Sequence, residues 1–142
     1  MRRFFKYLFI LSLAAVFSCD KVDFSADINC DECGKTDPKD AELHITLDAA
    51  KGNNTTLVQV YEGLPEDQII SSTHYVSGTD LSVTVNLNVS YTVTAKYQMD
   101  NGSCYIAVNS TTPRVKYVPS QCQDPCYLVY DNKLDLTLKY MK

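Results

Sequence analysis

Hydrophobic and polar residues alternate along most of the chain after residue 40. The clearest examples are the segments 81–88 and 91–98, in which every second residue is apolar. A period of two places one set of side chains on the core face of a strand and leaves the other set in water. The same pattern in shorter form predicts further strands at 43–47, 58–61, 69–76, 104–108, 115–117 and 134–140.

Turn residues separate these segments and support the strand interpretation. Asp100-Asn101-Gly102 lies between two alternating segments, which is a strong hairpin signal. In the strand after this turn we expect Cys104, Ile106 and Val108 to form the apolar, inward side. Seven to nine short strands at this spacing predict an all-β protein built as a single antiparallel β-sandwich.

The first eighteen residues have a different pattern. Arg2, Arg3 and Lys6 precede an uncharged, mainly apolar run over residues 7–17. Basic residues followed by such a run are typical of a signal peptide. The run has eleven residues, whereas a membrane-spanning helix needs roughly 20. We therefore expect residues 1–18 to be a signal peptide and not a permanent membrane anchor.

The sequence Val16-Phe17-Ser18-Cys19 resembles a bacterial lipobox, although Phe17 is larger than the residue usual at that place. The resemblance implies that Cys19 becomes the lipid-modified N-terminus, so that the protein is moored to a membrane by acyl chains. The start Cys19-Asp20-Lys21 is similar to lipoproteins of Bacteroidota. That similarity implies a lipid-anchored protein of the outer membrane or the cell surface, and it leaves the periplasmic face open.

Composition limits the domain count and the partners. Of the thirteen basic residues three lie in residues 1–18, so the remaining chain has ten basic against seventeen acidic residues, a net charge of −7. An acidic surface does not suit nucleic acid. Residues 19–40 are polar, acidic and without periodicity, which predicts a tether. Residues 41–142 then form one domain large enough to bury a core.

A tyrosine pattern indicates the kind of sandwich. The stretch from Val85 to Tyr91, with every second residue apolar, is similar to the start of strand F in fibronectin type III and other immunoglobulin-like domains. There a tyrosine hydroxyl bonds to backbone a few residues upstream, a structural role that the resemblance assigns to Tyr91. The chain lacks proline at Leu87 and any tryptophan. Residues 57–63 resemble early strands of transthyretin-like fimbrial lipoproteins. Those proteins have two domains, whereas this chain has room for one. Both the immunoglobulin-like and the transthyretin-like sandwich therefore stay open.

The cysteines predict disulfides, because an exported chain meets an oxidising compartment. With Cys19 on lipid, five of the six cysteines remain, which suggests two bridges and one thiol. In immunoglobulin-like sandwiches the first and last strands often run parallel and adjacent. This resemblance implies bridges from the loop holding Cys30 and Cys33 to the loop holding Cys122 and Cys126, with Cys104 as a small core residue. Local Cys30–Cys33 and Cys122–Cys126 rings are the rival arrangement.

The same cysteines are compatible with other chemistry. Cys30, Cys33, Cys122 and Cys126 have spacings compatible with a tetrahedral zinc site, and Cys30-x-x-Cys33 with a redox motif. Acidic neighbours disfavour the reactive thiolate, and secreted thiols close together usually oxidise, so we expect no metal and no cofactor. His44 and His74 belong to no catalytic motif. We therefore expect no catalytic residue and no enzymatic activity.

Five tyrosines near strand ends predict a contact surface, since amphipathic aromatic rings are favoured at interfaces and against sugars: Tyr61, Tyr75, Tyr117, Tyr127 and Tyr130. Taken together, the sequence predicts a non-enzymatic, lipid-anchored envelope module that binds a protein or a glycan. One alternative is a structural component of a fimbrial or other surface assembly. The other is a cysteine-based metal or redox protein.

Overall fold

The structure is a computed structural model that describes residues 29–50, 55–119, 122 and 124–139. The expected signal peptide over residues 1–18 and the expected lipidation site Cys19 lie outside the described residues. Within the described ranges, no helix is long and apolar enough to cross a membrane.

Nine strands form three sheets in this part of the chain. The first sheet has the order β4-β1-β9, with β1 at Asp40–Thr46, β4 at Asp80–Asn86 and β9 at Lys133–Asp135. The second has the order β3-β2-β5-β6, with β2 at Thr56–Glu62, β3 at Ile70–Val76, β5 at Tyr91–Gln98 and β6 at Cys104–Thr111. The third is a hairpin of β7, Arg114–Val118, and β8, Cys126–Tyr130.

The core lies between the first two sheets, so the predicted all-β sandwich is confirmed. Along β1 every second residue is buried, with Leu43 fully covered. Val58 and Val60 of β2 and Val93 of β5 are also fully buried and belong to the same hydrophobic cluster. The period-two pattern therefore produces the sandwich directly, because each strand contributes its apolar side to a shared interior.

The first and last strands are adjacent and parallel. In the ladder Ile45 of β1 pairs with Leu134 of β9, while the other edge of β1 pairs antiparallel with β4 through Leu43 and Val83. This arrangement brings the beginning and the end of the described domain to the same sheet. It is the neighbour relation that the immunoglobulin-like resemblance implied.

Two buried tyrosines connect separate elements. The Tyr91 hydroxyl accepts a hydrogen bond from the N–H of Asn86 at 3.1 Å, five residues upstream, which is the backbone contact that the tyrosine resemblance implied. The Tyr97 hydroxyl donates to the carbonyl of Leu136 at 2.9 Å and accepts from the N–H of Asp48 at 3.2 Å. Burial raises the pKa of both phenols above 10.0. Each ring therefore fills the core and satisfies backbone groups at its rim.

The end of the chain differs from the prediction. The strand expected over 134–140 is limited to β9, and residues beyond Lys139 lie outside the described part. The Asp48 carboxylate accepts the N–H of Leu138 at 2.7 Å, so a side chain takes the place of a ladder partner. β8 was not predicted, because its sequence Cys-Tyr-Leu-Val-Tyr is continuously apolar and aromatic and does not alternate.

The predicted orientation of β6 was wrong. β5 places Ala95 and Tyr97 in the core, and these residues pair with Ala107 and Tyr105 of β6. The register therefore turns the other side of β6, Cys104, Ile106 and Val108, to the outside of the sandwich. Residues directly opposite each other across a ladder share a face, so the pairing overrides the more apolar side of the strand.

Candidate functional site

β6 is an open edge of the second sheet. It pairs with β5 on one side and has no ladder partner on the other side among the described residues. The strand spans eight residues from Cys104 to Thr111 and contains neither a charged residue nor a proline. Natural proteins usually protect such an edge with charge, proline or a bulge. The absence of these features makes β6 a candidate for pairing with another chain.

A groove of about 530 Å³ runs beside this edge, between β6 and the segment 135–139, and is called the β6 groove below. Its apolar lining comes from Tyr105, Ile106, Ala107, Val108 and Leu138. At one end the side-chain amide of Asn109 donates to the carbonyl of Asp135 at 3.2 Å. This bond holds the last part of β6 against the other sheet and leaves the earlier residues of the strand accessible.

The one carboxylate in the lining is already satisfied by its neighbours. The Thr137 hydroxyl and the Thr137 N–H donate to Asp135 at 2.6 and 3.0 Å, and Lys139 lies 3.1 Å from its other oxygen. These contacts, the Thr137 hydroxyl first, lower the pKa of Asp135 to about 2. The carboxylate is therefore ionised and paired at neutral pH, and the groove presents a balanced charge to a ligand.

The outer face of the second sheet carries further exposed apolar side chains beyond the groove, with Lys96 between them. Cross-strand pairing places Tyr75, Leu57, Lys96 and Ile106 in one row across the four strands. Tyr75 and Ile106 are 74% and 62% exposed, and Val108 follows in the next row at 57%. Aliphatic side chains of this exposure on neighbouring positions are typical of surfaces that contact protein.

The five predicted contact tyrosines are divided between two sheets. Tyr61 and Tyr75 lie on the outer face of the second sheet, and the Tyr61 hydroxyl donates to Gln59 at 3.0 Å. Tyr117 and Tyr127 pair across the β7–β8 hairpin with ring centroids 5.0 Å apart. Tyr130 is at the end of β8 and is exposed. Of the five tyrosines, only Tyr75 therefore lies in the row that ends at Ile106. The tyrosine pattern did not indicate Ile106 and Val108 of β6.

A second groove, of about 400 Å³, is lined by hydroxyl groups near the other end of β5 and β6. These hydroxyls bond to one another: Ser90 to Thr112 at 2.7 Å and Thr92 to Ser110 at 3.0 Å. Thr92 also donates to the carbonyl of Gly63 at 2.7 Å. Their hydrogen-bonding capacity is used within the fold, which makes this groove a weaker candidate for a sugar.

The cysteines form two bridges between distant segments, Cys30–Cys122 and Cys33–Cys126, and not local rings. The segment 29–34 is thereby fastened to β8, and Gly34 and Tyr127 exchange backbone hydrogen bonds at 3.0 and 2.9 Å. We call β7, β8 and this segment the disulfide-linked hairpin. Part of the stretch expected to be a free tether thus lies against the fold.

Cys104 is the free cysteine of the described part of the chain, and it is exposed. Its predicted place in the core was wrong, because it lies on the outward side of β6 together with Ile106 and Val108. The thiol therefore stands at the beginning of the open edge, where a reagent can reach it.

The histidines lie apart from the β6 groove. His44 is on the exposed side of β1, with Nδ1 3.3 Å from the hydroxyl of Ser82 on β4. His74 is half-buried on β3, with Nε2 3.0 Å from the hydroxyl of Ser72. Each ring thus contacts a neighbouring serine on its own sheet, and the structure gives neither pair a third orienting group among the described contacts.

The β6 groove was missed from sequence because its two walls come from segments about thirty residues apart. The signal that could have indicated it is the uncharged, proline-free stretch from Cys104 to Thr111. Comparison with known proteins adds no family. No protein-family model matches the sequence, and neither the curated proteins nor the solved structures contain a match to it.

Proposed function

We propose that the chain is a non-enzymatic, lipid-anchored module of the cell envelope that binds an extended segment of a protein partner along β6. The observation that carries the proposal is the uncharged open edge of β6 beside an apolar groove of about 530 Å³. An edge strand offers unused backbone donors and acceptors, and an extended peptide can satisfy them as an added strand.

Side chains of the added strand would determine specificity. Because residues of a strand alternate between faces, one set of partner side chains enters the β6 groove, against Tyr105, Ala107 and Leu138. The other set lies on the outer face beside Ile106 and Val108. Since Asp135 is paired with Lys139 at 3.1 Å, the groove favours an uncharged segment with apolar residues at alternate positions.

A protein partner fits this surface better than a glycan. The most exposed groups beside the edge are the aliphatic side chains of Ile106 and Val108, and Tyr105 adds one aromatic ring. Sugar sites combine flat aromatic rings with free polar groups. The hydroxyl-lined groove, which could supply such polar groups, uses Thr92 and Ser110 in internal hydrogen bonds.

The expected anchor keeps this surface near a membrane. Cys30 follows Cys19 by eleven residues and is bridged to Cys122. Eleven extended residues reach at most about 40 Å. Lipid on Cys19 would therefore hold Cys30 within that distance of the bilayer, which suits an accessory protein that receives a partner at the envelope.

The same edge also favours the second candidate, a structural component of a surface assembly. In that case the added strand belongs to another copy of this chain or to another subunit, and repeated strand addition builds the assembly. The identity of the segment found on β6 separates the two functions.

The test uses the exposed thiol at the start of the edge. A photo-activated crosslinker attached to Cys104 of the protein in its native envelope should give one discrete adduct, and mass spectrometry should identify the joined peptide. Ile106→Lys with Val108→Lys places charge on the open edge and should abolish the adduct. Thr84→Lys, an exposed position on the edge strand β4 of the other sheet, is the matched control and should retain it.

Each outcome has a distinct meaning. An adduct with a different protein supports the binding module, and an adduct with a second copy supports the assembly function. An adduct that persists in the double lysine variant, or the absence of any adduct, overturns strand addition at β6. Glycan binding that survives the same variant would place recognition on another surface.

A further inference from the structure

The sulfur atoms of the two disulfides form one cluster. Cys33 Sγ and Cys122 Sγ, which belong to different bridges, lie 3.6 Å apart. The sulfurs of Cys33, Cys122 and Cys126 all lie within 4.8 Å of one another. Cys30 Sγ is bonded to Cys122 Sγ and lies outside this set of three. Two of the four sulfurs come from each of two chain segments, and each bridge joins one segment to the other.

Three of the four sulfurs already have spacings near those of a tetrathiolate metal site. Zinc binds thiolates at about 2.3 Å in a tetrahedron, which places the sulfurs about 3.8 Å apart. Cys33 and Cys122 are already at 3.6 Å. Once a bridge is opened, rotation about the side-chain bonds brings its two sulfurs to the tetrahedral spacing.

We propose that reduction of both bridges converts this sulfur cluster into a tetrahedral site for one zinc ion. A dithiol reductant gives two electrons and two protons to each disulfide and closes to its own disulfide. Each S–S bond of the protein breaks and leaves two thiols. The zinc ion then binds the four sulfurs as thiolates, and the four thiol protons are released to solvent.

Non-covalent contacts hold the ligands together after reduction. Gly34 and Tyr127 exchange two backbone hydrogen bonds, directly beside Cys33 and Cys126. Lys35 and Asp124 add an ion pair at 3.5 Å between the same two segments. These contacts do not depend on the S–S bonds. The four cysteines therefore stay close without covalent help, which lowers the ordering cost of binding a metal.

Burial and charge also suit a cation at this place. Cys126 is fully buried, Cys33 and Cys122 are partly covered, and Cys30 is exposed, so a reductant has access from the Cys30–Cys122 side. Asp31 and Glu32 lie between the first two cysteines and are exposed. Their carboxylates raise the local concentration of cations.

The test is metal titration of the full chain carrying Cys19→Ser and Cys104→Ser, which leaves only the four cluster thiols. The protein is purified in detergent, reduced with a phosphine and titrated anaerobically with Zn²⁺ against a chromogenic chelator. We expect one zinc per chain in native mass spectrometry. Co²⁺ in its place should give the intense visible bands of a tetrahedral thiolate complex, and the oxidised protein should bind neither ion.

Two variants locate the site. Cys33→Ser with Cys126→Ser should weaken zinc binding by about 100-fold or more, since half the thiolates are lost. Cys30→Ser removes only the exposed ligand and should keep a weaker site with a shifted Co²⁺ spectrum. Circular dichroism of each reduced variant shows whether the strands persist, so that loss of metal is not mistaken for loss of fold.

Three results would overturn the proposal. The first is a reduced parent chain that retains no zinc against the chelator while its strands are intact. The second is full zinc affinity in the Cys33→Ser, Cys126→Ser variant. The third is a ratio of one zinc to two chains, which would show that the ion joins separate molecules.

Discussion

The sandwich and the disulfide-linked hairpin are stabilised in different ways. In the sandwich, residues of the four long strands β1, β2, β4 and β5 are buried in one cluster, with Leu43, Val58 and Val93 fully covered. In the hairpin, the strands have five residues each, and the fully covered side chain is Cys126, a member of a disulfide. Hydrophobic burial therefore stabilises the first region, and covalent cross-linking replaces it in the second.

The difference shows where each region can change. Removing buried carbon atoms affects the whole sandwich, because its strands share one interior. The hairpin contacts that interior through a few side chains such as Val129. Opening its bridges should therefore make local opening of the hairpin more frequent and leave the sandwich folded, while the Gly34–Tyr127 hydrogen bonds still hold the two cysteine segments together. Substitutions in the two regions should therefore differ in how much of the fold they affect and in how much they lower the free energy of unfolding.

The largest effect is expected for Leu43→Ala. Leu43 is 0% exposed at the centre of β1, and deletion of such a side chain leaves a cavity and costs about 2–5 kcal/mol. Urea unfolding followed by circular dichroism measures the loss. Leu64→Ala, at a position that is 60% exposed, is the matched control and should change the unfolding free energy little. Equal losses for the two variants would contradict the assignment of the core.

The second effect concerns the hairpin, in the variant Cys33→Ser with Cys126→Ser. The bridge closes a separation of 93 residues, and its loss should cost about 2–4 kcal/mol. Hydrogen exchange should speed up for amides of β7 and β8 while those of β2 and β5 remain protected. Cys104→Ser is the control. Equal acceleration in β5 would show that hairpin and sandwich unfold as one unit.

The smallest effect is expected for Tyr97→Phe, which removes a link between the sandwich and the end of the chain. The hydroxyl donates to the carbonyl of Leu136 and accepts from the N–H of Asp48. Its loss leaves these backbone groups without that partner and should lower the free energy of unfolding by about 1–2 kcal/mol.

This substitution should also change the pH dependence. Burial raises the pKa of Tyr97 above 10.0, so the folded state holds the phenol proton more tightly than the unfolded state does. The stabilisation is complete below pH 10 and is lost as the pH rises through the higher folded-state pKa. Tyr97→Phe should flatten this alkaline decline, whereas Tyr75→Phe on the exposed face should not. An unchanged slope in Tyr97→Phe would contradict the buried environment.

The sequence predicted the sandwich well where alternation and turn signals agree. β1, β4 and β5 lie where the period-two pattern placed them, because in each of them the apolar set is also the buried set. β8 could not be found in this way, since a strand that joins a small hairpin is covered unevenly and need not alternate.

The candidate site was harder to predict than the fold. The orientation of β6 depends on which residues pair with Ala95 and Tyr97, a property of two strands that neither shows alone. Ile106 and Val108 are apolar, and the alternation pattern assigned them to the core. The structure places them at the open edge, where the same apolar character becomes a property of the surface.

The parallel pairing of β1 with β9 has a consequence for the time course of folding. β1 is among the first parts of the described domain to be synthesised, and its partner β9 is among the last. Cys30 and Cys33 likewise form disulfides only with Cys122 and Cys126, which lie more than ninety residues later in the sequence. Contacts so distant in sequence form slowly. The domain should therefore complete its fold only after nearly the whole described sequence has been synthesised.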